Sequence, residues 1–534
     1  MKKLLSILVM LAMVLSFAAA SAESIVTPAG QLPIVTEPYT LRVAVPTDAK
    51  VENIKETKLT KWLEEKTGIT LEFIELSTSD TATQVNMMMN SGDLPDVFLG
   101  YDFPYDALCS YVDAGLILPV DEYVAEYASE EGYKRFLNEF PLENPEAYVT
   151  VDGQMYAVLA GGAMVTNIYA SNGIRLQDQF LQTLGLEDPQ TLEEFYNYLV
   201  AVRDNDVNGN GDPNDEVPLT SHTATYWGKN LLRAIGTAYQ YTEPGDFLKN
   251  NNGTIEFVAN NDLFKETVLF LKKLVDEKLL EPAAFTQDAM TLASRQQGEA
   301  PVFGAYAVGN SSDGFDTSSE TYKSVIFCPP LEGPYGYRAT NYSAPHVYRT
   351  KVITTACEHP EVAFRLCDFL LTEEASVAFR LGFEGSEWEK AAEGELGRNG
   401  EQAKYKLLKP QEWIQPTTNV IWNNENVTFA NTMNFVYEAP DSPTGRAAAN
   451  MIRANFQAYV TNEYMPALLM DIETSAEYAE LQKLIADYVN ENVALFVLGE
   501  KDMAEWDKYV AELDAMGVEQ YVKMAQEAYD AMFK

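Results

Sequence analysis

Between Leu41 and Gly100 the hydrophobic pattern switches repeatedly between the alternation of a strand and the roughly 3.6-residue repeat of a helix. Leu41, Val43 and Val45 alternate with their neighbours as a half-buried strand does. Leu59, Trp62 and Leu63 mark one helical face, and Gly68 is placed to end that helix because glycine tolerates positive φ. Ile69, Leu71 and Phe73 alternate again, a helix is expected through Val85 to Met89 before Ser91-Gly92, and Asp96 to Gly100 reads as a third strand. Strands alternating with helices imply an α/β fold with a parallel sheet covered by helices. In such sheets ligands gather beyond the carboxyl ends of the strands. The turn after the third strand carries Tyr101, Phe103 and Tyr105, which makes these three candidate ligand contacts.

The remainder is richer in helix. Thr191 to Glu194 forms a capping box, with Leu192, Phe195, Tyr196 and Leu199 as the buried stripe behind it. Leu263, Val268, Leu271 and Val275 predict another helix, stopped by Pro282. A strand is expected at 301–307 and β structure at 348–355. Helices follow at 361–371 and 373–381, and nearly everything from about Thr444 to Lys534 is expected to be helical. No internal repeat is visible.

The opening residues address the compartment. Lys2 and Lys3 precede an apolar run from Leu4 to Phe17, and Ala20-Ser21-Ala22 satisfies the small-x-small rule for cleavage before Glu23. A signal peptide over 1–22 and an extracytoplasmic protein are therefore expected, with 23–39 as a spacer rich in Pro, Gly and Thr. The chain carries 79 acidic against 38 basic residues, a formal charge of −41. That field repels nucleic acid and anionic lipid, so neither is an expected partner. Four scattered cysteines and three scattered histidines give no zinc spacing, and a Cys357–Cys367 bridge is left open.

One segment has metal-binding chemistry. Asp206, Asn208 and Asn210 alternate, Gly211 permits a sharp turn, and Asp212, Asp215 and Glu216 follow. Oxygen donors at this density suit a hard cation of six to eight ligands, and the pattern points to a structural Ca²⁺ loop of EF-hand type. The frame beginning at Asp206 is preferred; one beginning at Asp204, with Gly209 at the turn, stays open. Asn, Asp and Gly also favour plain surface turns.

Several pieces in order resemble the extracellular solute-binding proteins of ABC importers, in the branch that includes alginate and pectin-fragment binders. They are Trp62–Ile69 followed by a strand, Ser91-Gly92-Asp93-Leu94-Pro95-Asp96, Gly115–Asp121, Asp152–Tyr156, the Asp206–Leu219 loop, Asp276–Pro282 and Trp506–Val510. The resemblance implies a two-lobed α/β fold of the periplasmic-binding-protein type II class with a helical C-terminal extension, closing over its ligand. On that reading 40–165 and 310–410 form the first lobe. Residues 166–309 and 411–460 form the second, including the calcium loop, and 461–534 is the helical end. Relatives are often lipoproteins with a cysteine after the signal, whereas no cysteine precedes Cys109 here. The family's Asp-Glu pair also commonly falls one position earlier than Asp215-Glu216.

Sugars offer apolar C–H faces and rings of hydroxyls, which aromatic platforms and amides suit. The candidates beyond the Tyr101 turn are Asn167, Tyr169, Tyr226, Trp227, Tyr306, Trp422 and Asn423, whereas Trp62 and Trp506 are assigned to packing. The expected protein is thus a monomeric, non-catalytic carbohydrate-binding subunit that delivers an oligosaccharide to a membrane permease. A peptide-binding importer subunit is an alternative within this class. Outside it stand a secreted polysaccharide-degrading enzyme, for which no GxSxG, HExxH or His-anchored triad is visible, and a structural surface protein.

Overall fold

The computed structural model describes residues 25–47, 51–140, 144–162, 173–223, 230–295, 300–308, 320–340, 346–408, 420–422, 427–439, 443–470 and 472–534. The expected signal segment 1–22 lies outside them. The first sheet begins with β1 (Tyr39–Thr47), whose alternating apolar residues are buried, followed by α1 (Lys58–Thr67). Thr57 caps α1 by accepting a hydrogen bond from the Thr60 N–H, and Gly68 ends it at φ +73°. β2 (Ile69–Ser77), α2 (Thr81–Ser91) and β3 (Val97–Leu99) follow, with β2 and β3 both parallel to β1. The chain then reaches β4 (Val158–Gly162) and passes to a second sheet.

That second sheet contains β5 (Ile174–Gln177), β6 (Val217–Ser221), β7 (Phe303–Ala307) and β8 (Val325–Phe327), in the order β8-β5-β7-β6. β7 is parallel to β6, while β5 runs antiparallel to both β7 and β8. Between the strands lie α3 (Leu192–Asp204), with the expected capping box in place, and α4 (Asp262–Asp276). α4 buries Phe264, Val268, Leu271 and Leu274 against the second sheet's core. Each such fully buried side chain contributes about 1.5–3 kcal/mol of transfer free energy.

The chain returns to the first sheet through β9 (His346–Ile353), antiparallel to both β3 and β4, so the sheet order is β2-β1-β3-β9-β4. The purely parallel sheet expected from the opening rhythm is therefore mixed, because β9 enters from the far side. α5 (Pro360–Phe369) and α6 (Glu373–Leu381) cover this sheet, and β10 (Trp388–Lys390) and β11 (Tyr405–Leu407) form a small sheet beside them. The last helices are α7 (Ile472–Leu498), α8 (Trp506–Ala515) and α9 (Val518–Phe533).

Two large cores result, one under each sheet. Three placements depart from the expected boundaries. β8 belongs to the second sheet, although 310–410 was expected in the first lobe. Trp422, Val427 and Phe429 lie in the first core, although 411–460 was expected in the second. Residues 25–36 are no loose spacer: Ile34 and Val35 are buried, Ile34 N–H donates to the Thr67 carbonyl at 2.8 Å, and buried Arg365 donates to the carbonyls of Thr27, Pro28 and Gln31. The C-terminal helices pack into the second core through Ile485, Val489, Phe496, Trp506 and Tyr521. The end of α9 reaches the first core, where Met532 is buried and its carbonyl accepts from Asn144 Nδ2 at 3.2 Å. No helix among the described residues is long and apolar enough to cross a membrane.

Candidate functional site

The turn beyond β3 is built by its neighbour β9. Gly100 adopts φ +94° and donates to the Thr350 carbonyl at 2.7 Å, which bends the chain away from the sheet. Asp102 Oδ1 then accepts from the Arg349 N–H at 2.8 Å, and the Arg349 side chain donates through Nε to the Phe103 carbonyl at 2.5 Å. Its Nη1 reaches the Tyr148 carbonyl at 3.4 Å. Burial holds the guanidinium below its ordinary pKa. Tyr148 is itself buried, with its hydroxyl lacking a hydrogen-bond partner among the described residues. Sequence reasoning did not single out Arg349 or Tyr148; the only signal was a basic residue inside the β-rich run at 348–355.

The three aromatics of this turn have different fates. Phe103 is fully buried, with ring contacts to Phe98 at 5.4 Å and Tyr101 at 4.8 Å, so it is a packing residue and not a ligand contact. Tyr105 is half-buried and its hydroxyl donates to the Thr150 carbonyl at 2.8 Å; burial, first, pushes its pKa up to about 12. Tyr101 remains half-exposed on the buried Phe103 ring, a supported aromatic face.

Two further candidates belong to cores. Trp422 is 2 % exposed, donates Nε1–H to Thr60 Oγ1 at 2.9 Å, and packs edge-on against Phe73 and Phe379. Tyr306 is buried in β7 among Leu292, Phe303, Val308 and Val325. Asn167, Tyr169, Tyr226, Trp227 and Asn423 lie outside the described residues. By chain order alone, Tyr226 and Trp227 follow the carboxyl end of β6, as Tyr101 follows that of β3. All four cysteines are free, so Cys357 and Cys367 are not bridged.

The candidate cation loop closes around Asp206. Its Oδ1 accepts from the Gly209 N–H at 2.8 Å and its Oδ2 from the Gly211 N–H at 2.9 Å. Asn208, Asn210 and Asp212 each accept from a backbone N–H two residues on. Asp215 accepts from the side-chain amides of Asn208 and Asn210, drawing these residues together. Glu216 Oε1 accepts from the Val207 and Asn208 N–H groups, while its Oε2 is buried with no partner among the described residues. Burial accordingly raises the Glu216 pKa. Asp204 is instead paired with Arg203 at 2.7 Å, outside this ring of donors, which favours the frame that begins at Asp206. An orphaned buried carboxylate oxygen beside two further acids is chemistry that fits a hard cation. Among the described residues no cluster of three His, Cys, Asp or Glu side chains makes a metal site by itself, so such a shell has to include the asparagine and backbone oxygens.

Two sheets with separate cores, joined by chain crossings and with an aromatic turn at the end of β3, define a two-lobed binding protein. The family of bacterial extracellular solute-binding proteins matches residues 44–377, and the chain belongs to it. It is 26 % identical over 486 residues to the fructooligosaccharide ABC transporter substrate-binding protein FusA of Streptococcus pneumoniae serotype 4, covering 88 % of this chain and 86 % of that one. In fold it is similar to a solute-binding protein associated with an HMO-binding ABC transporter from Bifidobacterium longum infantis. That pair has a TM-score of 0.69 at 20 % identity, over 92 % of this chain and 99 % of the other. It is also similar to an EF-hand mutant of S. pneumoniae FusA in complex with fructo-nystose, with a TM-score of 0.60 at 22 % identity over 92 % and 99 % of the two chains.

Proposed function

We propose that this chain is the substrate-binding component of an ABC importer, capturing an oligosaccharide outside the cell between two lobes and delivering it to a membrane permease without chemical change. The supporting observation is the Tyr101 turn, an aromatic face at the carboxyl end of a first-lobe strand, held by Arg349 from the adjacent strand. Its counterpart, Tyr226-Trp227, follows a second-lobe strand in the chain. Similarity to a fructooligosaccharide-binding protein over most of both chains supports a carbohydrate as the ligand.

In this reading the first lobe comprises 25–162 with 346–437, and the second 174–340 with 443–534. Tyr101, Asn167, Tyr169, Tyr226, Trp227 and Asn423 contact the sugar. Calcium is held by Asp206, Asn208, Asn210, Asp212, Asp215 and Glu216. It supplies charge neutralisation that fixes the exit of α3, and takes no part in chemistry. The protein is exported by its 1–22 segment and works as a monomer.

The test is calorimetry and thermal shift with kestose, oligogalacturonides and a peptide library, with scattering to follow closure. A ligand bound only by the folded state raises Tm by mass action. An oligosaccharide is expected to raise Tm and shrink the radius of gyration, and Trp227→Ala to abolish both. Binding of peptides alone, or release of shortened sugars on incubation, would overturn the reading.

A further inference from the structure

A second aromatic groove lies in the first lobe, and no residue of the Tyr101–Tyr105 turn lines it. It is a cavity of about 330 Å³ walled by Trp62 of α1, the first two turns of α6, the loop 382–388 and Tyr405 of β11. That size falls within the ~300–1,000 Å³ of small-ligand sites. Four rings meet there: Trp62 lies 6.0 Å from Phe383, and Trp388 lies 5.1 Å from Tyr405, both pairs edge to face.

Two of the polar handles of these rings are already engaged. Trp388 Nε1–H donates to the Gly382 carbonyl at 3.1 Å, and the Tyr405 hydroxyl donates to Glu373 Oε1 at 2.7 Å. The loop is fixed from beneath by Glu387, which is 1 % exposed and accepts from the Phe383 N–H at 3.1 Å and from Lys58 Nζ at 3.1 Å. Gly382 makes the turn at φ +76°, ψ −139°, where a Cβ would stand 2.9 Å from the Glu387 side chain. The rings are thus held as platforms before any ligand arrives, with Trp62, Phe383 and Trp388 all half-buried.

Three carboxylates border the platforms. Glu373 is paired with Lys404 at 2.7 Å and Glu374 with Lys66 at 2.7 Å, leaving the exposed Glu384 as the rim's third acid. A rim of carboxylates alone would select a cation. Here two of the three acids are neutralised by lysines, so the rim keeps accepting oxygens without the net charge that would draw a cation. Aromatic rings bordered by hydrogen-bonding oxygens are the chemistry that recognises sugar rings. The loop and β11 also fall beyond residue 377, where the family match ends.

We propose that this groove is a second carbohydrate site, taking neutral sugar rings of a polysaccharide chain independently of the ligand held between the lobes. Affinity electrophoresis of the full chain in native gels containing inulin, mixed-linkage β-glucan or galactomannan tests it, with the kestose thermal shift as a control for the interlobe site. At least one polymer is expected to retard the wild type. Trp388→Ala and Glu384→Ala are expected to lower the apparent affinity about fivefold, the order of one lost contact of roughly 1 kcal/mol. Trp388→Phe, which keeps a ring, is expected to restore part of it, and the kestose shift should not change in any variant. Glu384 is exposed, so its variant keeps the test valid where a tryptophan variant fails to fold. Three results overturn the proposal: no retardation in any gel, equal retardation of wild type and variants, or retardation competed by tetramethylammonium but not by free sugar. A missing kestose shift with retardation intact would instead count against the interlobe reading alone.

Discussion

Arg349 and Asp102 lie 247 residues apart in sequence, yet the Arg349 N–H donates to the Asp102 carboxylate at 2.8 Å across the head of the first sheet. The guanidinium of the same arginine takes the next carbonyl, that of Phe103. The strand returning from the second sheet therefore positions the turn that carries Tyr101. The turn thus depends on contacts that only the returning strand supplies.

Replacing Arg349 by alanine removes donors from the Phe103 and Tyr148 carbonyls in a half-buried setting. Each buried acceptor left without its donor costs about 1–3 kcal/mol. Arg349→Ala is expected to lower stability by about 2 kcal/mol in urea titration and weaken oligosaccharide binding at least about tenfold, by the 1.4 kcal/mol equivalence. Arg349→Lys, which keeps charge but loses the fork, should recover stability better than affinity. Unchanged affinity in both variants would show that the turn does not depend on this clamp.

The candidate cation loop makes a separate prediction. A cation bound only by the folded protein at 100 times its dissociation constant adds about 2.7 kcal/mol. Chelation should therefore lower Tm, calcium should restore it, and Asp206→Ala should make Tm indifferent to both. Asp204→Ala should leave the calcium response in place, because Asp204 is paired with Arg203 outside the ring of donors. If instead Asp204→Ala abolishes the response, the loop is read in the wrong frame.

Local chemistry was legible in the sequence. The capping box at Thr191–Glu194, the glycine stops at Gly68 and Gly92, and the first three strands all lie where periodicity and backbone preference place them. What long-range pairing decides was not. Trp422 stands beside asparagines and reads as exposed, but it is buried by Phe73, Phe379 and Thr60, which are distant in sequence. Phe103 and Tyr306 fail for the same reason, since an aromatic at a strand end or within a strand looks alike whether it faces ligand or core. Arg349 was invisible because its partners are carbonyls, which no side-chain pattern reports.

Asp246 is half-buried beside the Arg233–Glu243 pair, whose oxygens and nitrogens meet at 2.6 Å. Burial, followed by the Glu243 charge, pushes its pKa up to about 7, against roughly 3.9 in an unfolded chain. Between those values the native state holds a proton that the unfolded state has lost. This contribution to stability is complete below about pH 4 and declines as pH rises to 7, by at most about 1.4 kcal/mol per unit. Asp246→Asn keeps an oxygen for the Leu248 N–H and cannot titrate, so it should flatten this limb of urea midpoint against pH. An unaltered slope in the variant would assign the limb to other groups.

Lys351 gives the opposite sign. It sits fully buried in β9, its Nζ donating to the Val427 carbonyl at 3.1 Å, near Cys367 and Asp368. Desolvation lowers its pKa to about 7, against roughly 10.4 unfolded. Between pH 7 and 10 the unfolded chain binds a proton that the native state lacks, so stability attributable to this lysine rises with pH over that window. Below pH 7 the ammonium is charged in both states and the burial penalty is complete. Lys351→Met deprives the Val427 carbonyl of its donor, a cost of about 1–3 kcal/mol that does not vary with pH. The difference in stability between wild type and variant should therefore grow in favour of wild type from pH 7 to 9, whatever that constant offset is. Urea midpoints at pH 6, 7, 8 and 9 measure it, and a pH-independent difference would mean that Lys351 keeps its charge inside the fold.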